Sequence, residues 1–130
     1  MKTLLPDGWP RPNGYSNAIS ATGRTIFTAG VVGWDAQEDF VSNHIAGQFE
    51  QVMRNLVDIL AVDGARPEHI VRLTCYVTSI EQYLAATAEI GAAYKAIIGP
   101  HYPAMALVEV VRLVDADALV EIEATAVVPG

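Results

Sequence analysis

A chain of 130 residues has the size of one domain, spanning residues 1–130, with one core. Its hydrophobic content of 52% against 18% charged residues is rich for that size, so apolar surface is expected both in the core and between subunits. A net charge of −7, with its Lys and Arg scattered singly, excludes the clustered cations that bind phosphate backbones, and no apolar run nears the roughly 20 residues of a membrane span.

The opening segment carries Pro6, Gly8, Pro10, Pro12 and Gly14 and predicts an irregular lead-in able to wrap over a neighbour. It has one cation, Lys2, before Pro6 breaks the run, so no leader peptide is expected. Tyr15 to Ala21 and Thr25 to Val32 read as two strands of a hairpin around Thr22-Gly23-Arg24. A polar loop from Gly33 to Ser42 carries Trp34 and Asp35. From Asn43 to Asp63, Phe49, Val52, Met53, Leu56, Ile59 and Leu60 trace one helical face, with Asn43 as the cap and Gly64 as the terminator.

His69 to Thr78 alternates, with Val71, Leu73, Cys75 and Val77 on one face and Arg72, Thr74, Tyr76 and Thr78 on the other. Ser79 and Gln82 make a capping box for a second helix running to about Ile98. Ile80, Tyr83, Leu84, Tyr94 and Ile98 form its apolar face, and Gly99-Pro100 ends it. Strands from Ala104 to Leu113 and from Ala118 to Val128 follow, joined by a turn at Val114-Asp115-Ala116-Asp117. The order ββαβαββ predicts an α+β fold, one mixed sheet with two helices packed on one face.

In the last strand Val120, Ile122, Ala124, Ala126 and Val128 point one way, under the helices, and Leu119, Glu121, Glu123, Thr125 and Val127 point the other. In the strand before it, Met105, Leu107 and Glu109 alternate with Ala104, Ala106 and Val108 and are grouped with the glutamate-bearing second face. A face that mixes large aliphatics with glutamates calls for a cover, and a second copy of the chain would supply it.

Several segments resemble the RidA family, also called YjgF or reactive intermediate deaminases. They are Gly14-Tyr15, Phe27-Thr28-Ala29-Gly30, the Gln48 to Asn55 helix, Tyr102-Pro103-Ala104, Val108-Glu109-Val110 and Glu121-Ile122-Glu123-Ala124, in the family's order over about Tyr15 to Val128. The resemblance implies a homotrimer with small-molecule clefts between subunits, and hydrolysis of an enamine or imine to a ketone and ammonia without metal or organic cofactor. It gives Glu121 the acid/base role and places Tyr15, Gly30, Met105 and Leu107 around the substrate. In the family's deaminating members an arginine holding the substrate carboxylate follows Pro-Ala; here Met105 stands there, and Leu107 stands where a cysteine is common. The second helix is also slightly longer, and Gly91 replaces an asparagine. A methionine offers no donor to a carboxylate, so a standard 2-imino acid is not the expected substrate.

Two other readings stand beside this one. The trimer could bind a small molecule in a regulatory role without catalysis, and an endoribonuclease ranks last because of the acidic balance. His44, His69 and His101 lack metal-ligand spacing, and Asp115 with Asp117 reads as a turn, so no metal is expected. His101 leads toward the pocket strand, and Trp34-Asp35 is read as packing rather than as a lid. Cys75, the single cysteine, reads as an inert core thiol and fits a reducing, cytoplasmic setting.

Overall fold

A computed structural model describes residues 1–130. The main sheet contains β3 (Arg24–Phe27), β4 (Val31–Val32), β5 (Ile70–Val77), β6 (Ala104–Glu109) and β7 (Val120–Val128), ordered β3-β7-β5-β6 with β4 also on β7. β7 runs antiparallel to β3, β4 and β5, whereas β5 and β6 are parallel. Parallel neighbours need a long crossover, which the second helical region supplies.

The opening segment is not wholly irregular: β1 (Lys2–Leu4) pairs antiparallel with β2 (Ala18–Ser20) as a separate two-stranded sheet. The expected hairpin around Gly23 is therefore absent. Gly23, at φ +152, lies so close to Val128 that an added Cβ would sit 2.1 Å from its carbonyl oxygen. That approach sets β3 against β7 and sends β2 to β1 instead.

Helix α1 (Ile45–Ala61) buries Phe49, Val52, Met53, Leu56 and Leu60 at helical spacing, as predicted, and adds Ile45. Full burial of an aliphatic side chain of this kind contributes about 1.5–3 kcal/mol. Ile59 instead turns outward, and the cap position is His44, not Asn43, without a side-chain cap bond. At the other end Gly64 takes φ +76 while its N–H donates to Ala61 and that of Ala65 to Leu60, the paired bonds of a Schellman stop.

The second helix is broken in two, α2 (Ile80–Ala85) and α3 (Thr87–Ile97), about Ala86 at φ −111 and ψ 12. The Thr87 hydroxyl donates to the Leu84 carbonyl at 3.1 Å, a local bond that competes with the helical ladder. Leu84 consequently faces solvent, while Ile90, Tyr94 and Ile98 reach the core. Ser79 accepts the Gln82 N–H as expected, and Glu109 of β6 accepts the Ile80 N–H at 3.0 Å.

Strand edges also differ from expectation. A bulge between Ile70 and Arg72 puts Ile70 rather than Val71 in the core. β6 ends at Glu109, because the Val110 N–H takes the carbonyl of Val77, where β5 ends, and Val111 is 97% exposed. On β7 the alternation holds: Val120, Ile122, Ala124 and Ala126 are buried. On β6 the face assignment is overturned. Its register pairs Met105 with Leu73, Leu107 with Cys75 and Glu109 with Val77, so these residues share the helix-covered face. Met105 and Leu107 accordingly pack, half-buried, against the core. Alternation separates two faces, but only the pairing register says which face each set joins.

Candidate functional site

The open face is built by β3, β7, β5 and β6 from Phe27, Thr125, Glu123, Glu121, Arg72, Thr74, Tyr76 and Val108. Glu121 lies in a row across the sheet, opposite Val32 on one side and Tyr76 on the other, with Val108 beyond Tyr76. Its neighbour is fixed by an irregularity. Phe27 pairs with Thr125 and Val31 with Ile122, so four residues advance on one side and three on the other. At this bulge the Thr28 hydroxyl accepts the Ala124 N–H at 2.9 Å and donates to the Ala29 carbonyl at 2.8 Å.

The bulge presents the backbone of Gly30 directly to the Glu121 carboxylate. A Cβ added at Gly30 would meet Glu121 Oε2 at 2.5 Å and Cδ at 2.7 Å, so this approach requires glycine. The two glutamates of β7 then divide. Tyr76 donates its hydroxyl to Glu123 Oε1 at 2.9 Å. That bond, with burial and the charges of Glu123 and Glu121, raises the phenol's pKa and keeps it protonated. Glu121 is half-buried and enters no ion pair or side-chain hydrogen bond within the chain. Of the two carboxylates it alone is unengaged. A hollow of about 330 Å³ beside this pair is lined by Phe27, Thr28, Arg72, Thr74 and Glu123 among others. Phe27 is 75% exposed there.

The remaining predicted site residues do not converge on Glu121 within one chain. Tyr15 lines a separate hollow of about 650 Å³ with His101 and Tyr102, next to the start of β6, where Ser16 bridges Ala104. Glu121 is two strands in from β6 and level with Val108, four residues further along, which puts these places roughly 10 Å apart across the sheet and about 13 Å apart along it. Met105 and Leu107 lie on the opposite face from Glu121.

Other singled-out residues turn out to be structural. Buried Gln48 donates to the carbonyls of Ser42 and Asp117 at 3.0 and 2.9 Å and accepts the Leu119 N–H at 2.7 Å. Asn55 donates to the carbonyls of Val32 and Trp34, which holds the Trp34 loop to α1. Trp34 packs on Phe40 with ring centroids 5.8 Å apart, and Asp35 caps the turn between them. Asp115 accepts the Asp117 N–H in a turn. The His101 ring donates from Nε2 to the Ile70 carbonyl at 2.6 Å. Burial pushes the Cys75 thiol up to about 12, as expected of an inert core cysteine. Sequence reasoning missed the Tyr76–Glu123 bond, although alternation in β5 and β7 had already put both side chains on one face. The stacked pair Tyr94–Tyr102, with centroids 5.5 Å apart, had no such signal.

Comparisons with known proteins agree on one relationship. The profile of the endoribonuclease L-PSP family matches residues 10–128. A RutC family protein of Synechocystis is 33% identical over 132 residues, covering 99% of this chain and 98% of its own. The 2-iminobutanoate/2-iminopropanoate deaminase of Escherichia coli is 32% identical over 130 residues, with 97% of each chain covered. Among solved structures, YyfB of the conserved Rid protein family from Yersinia pestis superposes with a TM-score of 0.84 at 33% identity, over 98% of each chain.

Proposed function

The chain belongs to the endoribonuclease L-PSP family, the RidA/YjgF group, and from that premise we propose that it hydrolyses an enamine or imine lacking the usual α-carboxylate. The observation that carries this reading is the unengaged Glu121 carboxylate set over Gly30 on the uncovered face of the sheet. The reaction is R₂C=NH + H₂O → R₂C=O + NH₃. Glu121 takes a proton from water as the oxygen attacks the imine carbon and passes it to the nitrogen, giving a carbinolamine; it then takes the hydroxyl proton and delivers it to the nitrogen as the C–N bond breaks and the ketone forms. One carboxyl suffices for both transfers, and the step calls for no cofactor.

Relatives named as 2-iminobutanoate/2-iminopropanoate deaminases support the reaction class. Met105 separates this chain from their substrates. Removing one partner of a buried charged pair costs about 2–5 kcal/mol, which weakens a carboxylate-bearing imine about 30-fold to a few thousandfold. Glu121, Gly30, Tyr15, Met105 and Leu107 are spread over two faces and two hollows of one chain, so the working cleft is one completed by further copies in a homotrimer. The exposed Phe27 on the open face supports such a cover.

The absent arginine also favours a second reading, a non-catalytic trimer that binds a small molecule. Endoribonuclease activity stays last, since a chain of net charge −7 offers phosphates no basic face. Steady-state rates decide between substrate classes: a ketimine without a carboxylate should be hydrolysed with a higher kcat/KM than 2-iminopropanoate. A preference for 2-iminopropanoate would sink the substrate assignment.

A further inference from the structure

We propose, resting on the reading of Glu121 as the acid/base group, that Glu123 is a positioning residue. It holds the Tyr76 hydroxyl and so keeps the donor opposite Glu121 off the reacting carboxylate. Tyr76 of β5 stands directly across from Glu121 of β7, whereas Glu123 stands across from Thr74, diagonally from the tyrosine. Directly opposed side chains have Cβ atoms about 4.5–5.5 Å apart, against roughly 7–8 Å on the diagonal, which a tyrosine still spans. The Tyr76 hydroxyl nevertheless passes the directly opposed carboxylate and donates to Glu123 Oε1 at 2.9 Å. Tyr76 is also the one side-chain partner that Glu123 has, since Arg72, on the same face, forms no ion pair with it.

The allocation of that one hydroxyl has a chemical consequence. A carboxylate that accepts a phenol hydrogen bond is a weaker base, because the bond stabilises the charged form that must be given up to take a proton. Tyr76 is a persistent donor: its bond to Glu123, its burial and the charges of Glu123 and Glu121 raise its pKa and keep it protonated. The other neighbours of Glu121 in its row carry no donor side chain. Val32 lies across from it on β4, Val108 lies beyond Tyr76 on β6, and Gly30 beside it has no side chain at all. By accepting one bond, Glu123 thus decides whether Glu121 meets water as a free carboxylate or as one already engaged.

Turnover of a carboxylate-free ketimine, read in a double-mutant cycle, tests the assignment. Glu123→Ala frees the hydroxyl for Glu121 and should lower kcat about tenfold or more, because a hydrogen bond to a charged group must then break before proton transfer. In the Tyr76→Phe background the same Glu123→Ala change should cost less than about twofold, since no hydroxyl is left to misdirect. Glu123→Gln, whose amide carbonyl still accepts the hydroxyl, should recover most of what Glu123→Ala loses. No loss in Glu123→Ala, equal losses with and without the tyrosine hydroxyl, or equal losses in Glu123→Gln and Glu123→Ala would each overturn the proposal. NMR of the full chain labelled at the tyrosine Cζ atoms gives a readout that needs no turnover. In Glu123→Ala, adding Glu121→Gln should move the Tyr76 signal, whereas in the wild-type background Glu121→Gln should move it several-fold less. A Tyr76 signal indifferent to Glu121 in both backgrounds overturns the proposal even where Glu121 is needed for turnover. The predicted signals in a protein whose turnover ignores Glu121→Gln would support the placement of the hydroxyl and overturn the acid/base reading beneath it.

Discussion

The two faces of the main sheet are made by the same strands, and Glu121 and Ile122 are adjacent residues of β7 assigned to different faces. The helix-covered face ends in completely enclosed side chains: Leu73, Cys75, Val77, Val120 and Ile122 meet Val52, Met53 and Leu56 of α1. The open face carries Arg72, Tyr76, Glu121 and Glu123, with Phe27 exposed at its edge. Burial leaves a side chain one arrangement and contributes stability, whereas the open face leaves a carboxylate free to meet a ligand or a second copy. The covered face thus carries the fold and the open face the chemistry proposed for Glu121, and each can be perturbed separately.

The largest effect is expected from the covered face. Leu56→Ala should lower unfolding free energy by about 2–5 kcal/mol in denaturant titration, because the enclosed site cannot refill the lost volume. A loss under about 1 kcal/mol would mean that the face is less tightly packed than its burial implies.

Gly30→Ala tests the opposite side. Its Cβ would collide with Glu121 Oε2, and a flexible carboxylate escapes by swinging away rather than by unfolding the chain. Stability should change by no more than about 0.5 kcal/mol, while imine turnover falls by up to about 100-fold. Unchanged turnover would break the link between Gly30 and the reacting carboxylate.

The smallest effect is a pH dependence confined to the covered face. Folding raises the Cys75 thiol from 9.0 to about 12 by burial, so the folded state favours the protonated form. The stability this contributes is fully present below about pH 9 and is lost as pH climbs from 9 toward 12, at about 1.4 kcal/mol per unit. Cys75→Ala should lack that part of the alkaline decline in chemical denaturation at pH 8, 9.5 and 10.5. Identical alkaline slopes in the two proteins would show that the thiol is not held neutral.

Legibility in the sequence followed the same division. Phe49, Val52, Met53, Leu56 and Leu60 announced the covered face of α1 by spacing alone, and the alternation of β7 separated Glu121 from Ile122, because both periods are local properties. The face that Met105 and Leu107 join is not legible in the strand alone, because its alternation is symmetric until its register with β5 is known. The break at Ala86 coincides with one hydroxyl, that of Thr87, returning to the Leu84 carbonyl. The approach of Gly30 to Glu121 depends on a bulge created by pairing with β7, more than ninety positions later. Likewise the Lys2–Leu4 strand exists only through its distant partner at Ala18–Ser20. Contacts of this kind leave no periodic trace.

The most direct measurement is ammonia release from a carboxylate-free ketimine by the wild type and by Glu121→Gln, with the assembly state of both checked by sedimentation. Wild-type turnover that falls about 10²–10⁴-fold in Glu121→Gln, with assembly unchanged, is the predicted result. Equal rates in the two proteins, or no wild-type turnover of any imine above background, would contradict the catalytic role of Glu121 and leave a binding protein in its place.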